Sequence, residues 1–468
     1  MEVLMTSQGK NEAAQQDKRY IFEKMPVPKA LARFMVPTVL SQMAALLLNL
    51  ADAFFIGRTG DAYQVSAMTL TFPIYLCMTV IPIMFGAGGN ASIAASLGIG
   101  DRKRARQYAV FSLYTALFMA LLYGVLTTGF GTPLLTALGA SEYSLGYCKD
   151  YMFWAILLGS VPLTFNQVIS QLFLAEGEGK TAGFGITLSS ILNVVLDPVF
   201  IFVFDMGIGG AALATCLSSW VGAAYYLYQW YKRRHTTVVS LDIRLYRPGG
   251  HIAARTLSIG VPAGLVPLLT NVCDLVRNYF LAALGSDIEV AGWGSVQKVI
   301  FALYTISMGI AQGARPVISY NYARGDLRRT RSLANGTMVI MALYLAAGIA
   351  LINLIPELII KLFVTNAESV EWAMYFLRIS LYSIIGVAFI DLFNAVFQAV
   401  GRWKLSLANT ILNKGCLLTP VLILLANLYG IRAIPYSQVI TECATAVVLF
   451  FVYLYVTRKF NTSPQQGA

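Results

Sequence analysis

Along the 468-residue chain, apolar positions neither alternate nor trace a single helical stripe; they come in solid blocks of 20 to 33 positions, separated by short charged or Gly/Pro-containing breaks. At 1.5 Å per residue, each block is long enough to cross a hydrocarbon layer of about 30 Å. The blocks begin near residues 31, 65, 108, 151, 182, 208, 256, 290, 334, 372, 405 and 433 and predict twelve transmembrane helices. A transmembrane β-barrel would instead show alternating segments of about ten residues. The pattern therefore predicts an all-α membrane protein.

Composition narrows the function classes. The hydrophobic class makes up 57% of residues and charged residues only 12%, against about 25% charged in soluble domains. A soluble enzyme, a coiled coil and a disordered chain are excluded. The six cysteines, at 77, 148, 216, 273, 416 and 443, lack the paired short spacings of a disulfide framework or a zinc site. The only two histidines, His235 and His251, share one basic linker, so histidine-based metal catalysis or a Ser-His triad inside the membrane has no raw material. No enzyme activity and no organic cofactor are expected.

The net charge of +11 is distributed by topology. Clusters such as Lys18, Arg19, Lys24, Lys29 and Arg33, then Arg102, Lys103, Arg104 and Arg106, then Arg324, Arg328, Arg329 and Arg331, all fall on one side. The opposite loops hold only Arg58, Lys149, Lys361 and Arg432. By the positive-inside rule the charged side is cytoplasmic, with both termini there. The excess charge orients the protein and faces anionic lipid, so nucleic acid is not expected as a partner. Residues 1 to 28 have no apolar core and do not read as a cleavable signal peptide.

The second half echoes the first. Gly100-Asp101-Arg102-Lys103-Arg104-Ala105-Arg106 corresponds to Gly325-Asp326-Leu327-Arg328-Arg329-Thr330-Arg331 at an offset of 225, which also relates Pro37 to Pro262 and Gly60 to Gly285. The offset falls to 224 at Gly177/Gly401 and Lys180/Lys404, and to 223 at Gly207/Gly430. Six spans occur twice. Because six is even, both copies start on the same side, and a pseudo-two-fold axis along the membrane normal is expected. Parallel repeats of this kind are a secondary-transporter architecture with substrate bound between the halves. The expected organisation is a cytoplasmic segment over 1–30, an N-lobe over 31–231, a basic cytoplasmic linker over 232–255, a C-lobe over 256–457 and a cytoplasmic tail over 458–468. The linker itself reads as a solvated loop.

An ionisable group at mid-membrane costs about 2.5 to 3.5 kcal/mol even on the generous insertion scale. Five acids fall inside spans: Asp52, Asp197, Asp274, Asp391 and Glu442. The embedded bases Arg277, Lys298, Arg315, Arg378 and Lys414 are all in the second half. Asp52 and Asp197 thus lack an embedded partner of opposite sign and need a proton or a metal cation to stay buried. Asp274 and Arg277, three apart on one helix, can neutralise each other, and an ion pair is favoured there over a second ion site. Helical rise puts Asp52, Asp197 and Thr215 roughly 8, 11 and 12 Å below the outer face. Asn193 lies one turn from Asp197, and Pro198 can free backbone oxygens beside it. An oxygen-only set suits Na⁺ or H⁺ rather than a transition metal. Gln42 and Asn49 continue the stripe of Asp52 toward the lobe interior; with Asn166 and Gln297 they are candidates for a substrate pocket. Gly86, Gly88 and Gly89, downstream of Pro82, read as a closely packed helix segment rather than a phosphate cradle.

The stretch QLFLAEGEGKTAGFGITLSSILNVVLDPVFIFVFDMGIGGAALAT from Gln171, with NLADAFFIGRTG in the first span and GNASIAASLGIGDRKRAR ending the second, resembles the multidrug and toxic compound extrusion (MATE) family, in its DNA-damage-inducible and staphylococcal-type branch. The resemblance runs over nearly the whole chain. It implies two six-helix lobes that rock to exchange organic, often cationic, drugs for Na⁺ or H⁺ in a prokaryotic cytoplasmic membrane, with a monomer expected. Carried over, the family's cation site falls on Asp52, Asn193, Asp197 and Thr215. Some members place coupling acids in the C-lobe, where Asp274 and Asp391 are the nearest counterparts. A lipid-linked-oligosaccharide flippase of the related superfamily is the alternative, favoured by a broad cationic cavity around Arg277, Lys298, Arg315 and Lys414.

Overall fold

The computed structural model describes residues 19–59, 61–364 and 366–458, among which every regular element is helical. The N-terminal residues through 18, with Lys18, and the tail from 459 lie outside the described residues, as does Gly60. Eleven helices are long and apolar enough to cross a membrane, and a bent pair supplies a twelfth span. In chain order they are α1 (Val27–Arg58), α2 (Ala62–Gly98), α3 (Arg102–Gly129), α4 (Glu142–Leu158 and Ser160–Ala175, bent by 44°), α5 (Gly179–Val203), α6 (Gly207–Arg233), α7 (His251–Leu284), α8 (Asp287–Arg324), α9 (Leu327–Leu354), α10 (Ala367–Ala399), α11 (Trp403–Tyr429) and α12 (Ile431–Arg458).

Several helices start ahead of their apolar blocks, on a polar, capped first turn. Asp101 accepts the backbone N–H of Arg104 at 2.9 Å and Asp326 that of Arg329 at 2.9 Å. Gly100 and Gly325 precede them with φ of 81° and 87°, a left-handed geometry that glycine adopts without a Cβ penalty. The same glycine-aspartate joint closes the second span of each half, so the repeat is visible in backbone conformation as well as in sequence.

Contacts divide the chain into two compact units. One contains Leu40–Gly264: most of α1, all of α2 to α6, and the first part of α7. Close packing there needs glycine: a Cβ on Gly88 would lie 2.1 Å from the Thr256 carbonyl oxygen, and one on Gly260 2.2 Å from that of Met84. The linker after α6 is docked on this unit and is not the solvated loop expected from its charge. Thr237, Val238 and Val239 are buried, Arg102 donates to the Thr236 carbonyl at 2.7 Å, and Tyr114 donates to that of Leu241 at 2.7 Å. The reason is Glu176, a buried carboxylate at the end of α4, which accepts from the Thr237 hydroxyl at 2.6 Å and the Val238 N–H at 2.9 Å.

The other unit contains Val27–Val39 and Leu265 onward. Its centre is α10, which packs on α8 and α12. Gly386 of α10 lies against the backbone of Glu442 and Cys443, and Thr38 donates to the Gly309 carbonyl at 2.7 Å.

Candidate cation-coupling site

The site lies in the first unit beside an apolar cluster that includes Ile56, Ile74, Met78, Met152 and Ile201. Four-residue spacing on α5 puts Asn193 and Asp197 on one face, and both are 0% exposed. The Asn193 amide donates to Asp197 Oδ1 at 3.2 Å and to Thr215 Oγ1 of α6 at 3.1 Å. Thr215 in turn donates to the Ala211 carbonyl at 3.1 Å, so its lone pairs stay turned toward the amide. Asp52 of α1, half-buried, brings its carboxyl close to that of Asp197, near enough for the two to interact electrostatically. The four residues are thus brought together from three spans. Directly after Pro198 the helix widens into a π-turn over Val199–Val203, a feature that often accompanies functional sites.

The donor count is what matters chemically. Among the described residues, no donor reaches Asp52 Oδ1, Asp197 Oδ2 or Asn193 Oδ1, and all three are sealed from solvent. Among the described residues, the ion pairs are Arg233–Glu178, Arg277–Asp274, Lys361–Glu357 and Lys414–Glu442, and none involves Asp52 or Asp197. Two carboxylates close together repel by several kcal/mol: about 4 kcal/mol at 4 Å with an effective dielectric of 20. A proton held between them, or a cation among the three acceptor oxygens, removes that repulsion and satisfies the acceptors together. Tyr75 of α2 and Tyr151 of α4 are also within electrostatic reach of Asp52. Sequence reasoning did not single them out, since a tyrosine in an apolar run reads equally as core or membrane interface.

Of the pocket candidates, each has its own surroundings. Gln42 is half-buried. Asn49, expected on the interior stripe, is exposed and donates to the Ala45 carbonyl of its own helix at 2.8 Å. At 100° per residue it stands about 60° around the helix from Asp52, enough to leave the buried face. Asn166 is buried and donates to the Ser219 carbonyl at 2.8 Å and to Ser189 at 3.4 Å, tying α4 to α5 and α6. Gln297, with its amide oriented to match donors to acceptors, accepts from Arg277 at 3.0 Å and from the Trp293 indole at 3.2 Å, in the second unit.

The second unit pairs two of its embedded acids with bases of its own. Arg277, almost wholly buried, pairs with Asp274 at 2.5 Å and lies 5.4 Å from the Trp293 ring centre. Lys414 pairs with the fully buried Glu442. Asp391 has Tyr304 as a hydrogen-bond partner and Lys414 and Arg315 as neighbouring cations. At the 225 offset, Asp52 falls on Arg277 and Asn49 on Asp274. Where the first half presents a bare carboxylate, the second presents a resident guanidinium.

Twelve spans built from two like six-span halves, with an unpaired acid couple buried in one, define a membrane transporter rather than an enzyme. The chain belongs to the MatE family, whose family model matches it twice, over residues 37–199 and again over 262–424. It is 29% identical to the multidrug export protein MepA of Staphylococcus aureus (strain MSSA476), over 94% of this chain and 96% of that protein. The identity to MepA of Staphylococcus saprophyticus is also 29%, with the same coverage. Among solved structures, a MATE transporter in complex with MaD3S superposes with a TM-score of 0.89 at 23% identity, covering 95% of this chain and 99% of that one. A MATE family transporter in an outward-facing conformation gives a TM-score of 0.87 at 23% identity, covering 95% and 98%.

Proposed function

We propose that this chain is a secondary active multidrug exporter, exchanging organic and often cationic compounds for Na⁺ or H⁺ by alternating access, with Asp52, Asn193, Asp197 and Thr215 as the coupling site. The observation that carries the reading is the closeness of two carboxyls inside a membrane unit that offers them no basic partner. The transported cation is part of the exchange and not a resident cofactor. Entering along its gradient, it occupies the acceptor oxygens of Asp52, Asp197 and Asn193; leaving, it restores their repulsion. Exchange follows only if the two access states bind it with different affinity. Each net charge entering at 100 mV supplies about 2.3 kcal/mol, enough for a substrate gradient of roughly fifty-fold. The names of the relatives in staphylococci support the drug-export reading. We place the protein as a monomer in a prokaryotic cytoplasmic membrane with both termini inside, from the charge asymmetry of its loops.

A flippase for lipid-linked sugars would need free cations lining a cavity. Arg277 and Lys414 each have a carboxylate partner and Arg315 has Asp391 nearby, which weighs against it; of the four, Lys298 alone has no carboxylate partner among the described residues and lies 5.3 Å from the Phe363 ring centre. The deciding experiment is efflux of ethidium from vesicles holding the purified protein, with Na⁺ and pH gradients imposed separately. One gradient should drive efflux in the wild type and neither should in Asp52→Asn or Asp197→Asn. Undiminished efflux in both variants would overturn the assignment.

A further inference from the structure

The two halves finish their fourth spans in chemically opposite ways. In the first unit, the loop between α4 and α5 is acidic and filled: Glu176 holds the linker through Thr237 and Val238, and Glu178 pairs with Arg233 at the end of α6 at 2.6 Å. The offsets of 224 and 223 set Val400 against Glu176, Arg402 against Glu178, and Val456 of α12 against Arg233. Both carboxylates are gone, and so is the arginine that used one of them. What remains is a pocket of about 470 Å³ lined by Gly401, Arg402, Trp403, Lys404, Tyr455 and Val456, with largely apolar walls. Arg402 and Lys404 are exposed at its rim, and neither has a carboxylate partner among the described residues.

We propose that this pocket binds the phosphate headgroup of an anionic phospholipid, with Arg402 and Lys404 as the phosphate ligands and the acyl chains running along the apolar wall toward Val452 and Val456. The pocket sits where α10 ends, α11 begins and α12 ends, so in a bilayer it lies at headgroup level. Trp403 and Tyr455 beside it are the residue types that settle at that interface. The side of the membrane is the basic, cytoplasmic side, where anionic lipid concentrates. An arginine fork offers paired N–H donors to phosphate oxygens, and a lysine adds a point charge. The site is separate from the coupling acids, so it stands or falls independently of which ion or drug is moved.

The test is native mass spectrometry of the full-length protein titrated with phosphatidylglycerol or with phosphatidylcholine of the same chains. The expected result is at least about a fivefold preference for phosphatidylglycerol at one site, lost in the Arg402→Gln/Lys404→Gln variant. Equal retention of the two lipids, or a preference that survives the double substitution, would overturn the proposal. Excess inorganic phosphate should not displace the lipid; displacement would mark a free-anion site and overturn the lipid assignment. A readout that needs no charge variant is tryptophan quenching by brominated-chain lipids. Brominated phosphatidylglycerol should quench the wild type more than brominated phosphatidylcholine does, with the difference removed in Trp403→Phe. No difference in the wild type would count against the proposal equally.

Discussion

Asn193 is the residue whose removal separates structure from coupling most cleanly. Its amide spans Asp197 and Thr215, while its own oxygen faces no donor. Asn193→Ala takes away one of three acceptor oxygens and the donor that orients Asp197, at a cost typical of a buried polar partner, about 1–3 kcal/mol. The expected outcome is a folded transporter whose half-saturating coupling-ion concentration rises about 5- to 150-fold in the ethidium assay. An unchanged ion dependence would place the cation elsewhere. These acids and their amide were legible in the sequence because a charge in hydrocarbon demands an explanation. Tyr75 and Tyr151 were not, because a phenol is at home in either environment. Asn49 misled for a related reason: a polar residue on a helix can satisfy itself on its own backbone, as it does on Ala45.

At the scale of elements, the helix count followed from apolar block length, whereas the helix starts did not, since capped polar turns extend α3 and α9 beyond the apolar blocks. Asp61, which precedes α2, shows such a cap: it accepts from the Tyr63 N–H at 2.8 Å, and that bond chiefly holds its carboxyl below the usual carboxylate range. A lowered carboxyl stabilises the fold above its unfolded-state pKa, and the contribution is lost as pH falls through the lowered value. Asp61→Asn keeps a capping oxygen but cannot titrate. Its melting temperature should therefore match the wild type near neutrality and fall less steeply on acidification. Packing between helices gives a second expectation. Gly88→Ala forces a methyl into the Thr256 carbonyl and should destabilise by about 1–3 kcal/mol, visible as a lowered melting temperature. Gly129→Ala, where a Cβ meets nothing within 4 Å, should change it little. The glycines of α2 were readable as a tight segment; the partner of Gly88 on α7, far away in sequence, was not.

Across the whole molecule, duplication explains what the halves share, and substitutions within it explain where their charges differ. The offset that matches Gly100 to Gly325 also sets Arg277 where Asp52 stands, so the second half carries covalently a positive charge where the first presents a carboxylate; on the proposed function, the first half is the one that couples. Two of the second half's embedded acids are ion-paired, Glu442 with Lys414 and Asp274 with Arg277, and Asp391 has Tyr304 as a hydrogen-bond partner with Lys414 and Arg315 as neighbouring cations. The repeat, the surplus of bases in the second half and the Asp274–Arg277 pair, three apart on one helix, could be read from the sequence; the Lys414–Glu442 pair could not, because its partners come from different spans. Breaking such a pair leaves a bare charge in low dielectric and costs about 3–5 kcal/mol, whereas replacing both partners removes the need for either. Glu442→Gln should therefore lower the melting temperature sharply, and Lys414→Met/Glu442→Gln should recover most of the loss. Coupling should respond differently from stability. In the recovered double variant, ethidium efflux should keep the wild-type dependence on the driving ion, with a Hill coefficient of about one, since a single site saturates without cooperativity. If instead that variant folds and loses ion-driven efflux, the second half takes part in coupling, and the division of labour drawn from the charge inversion is wrong.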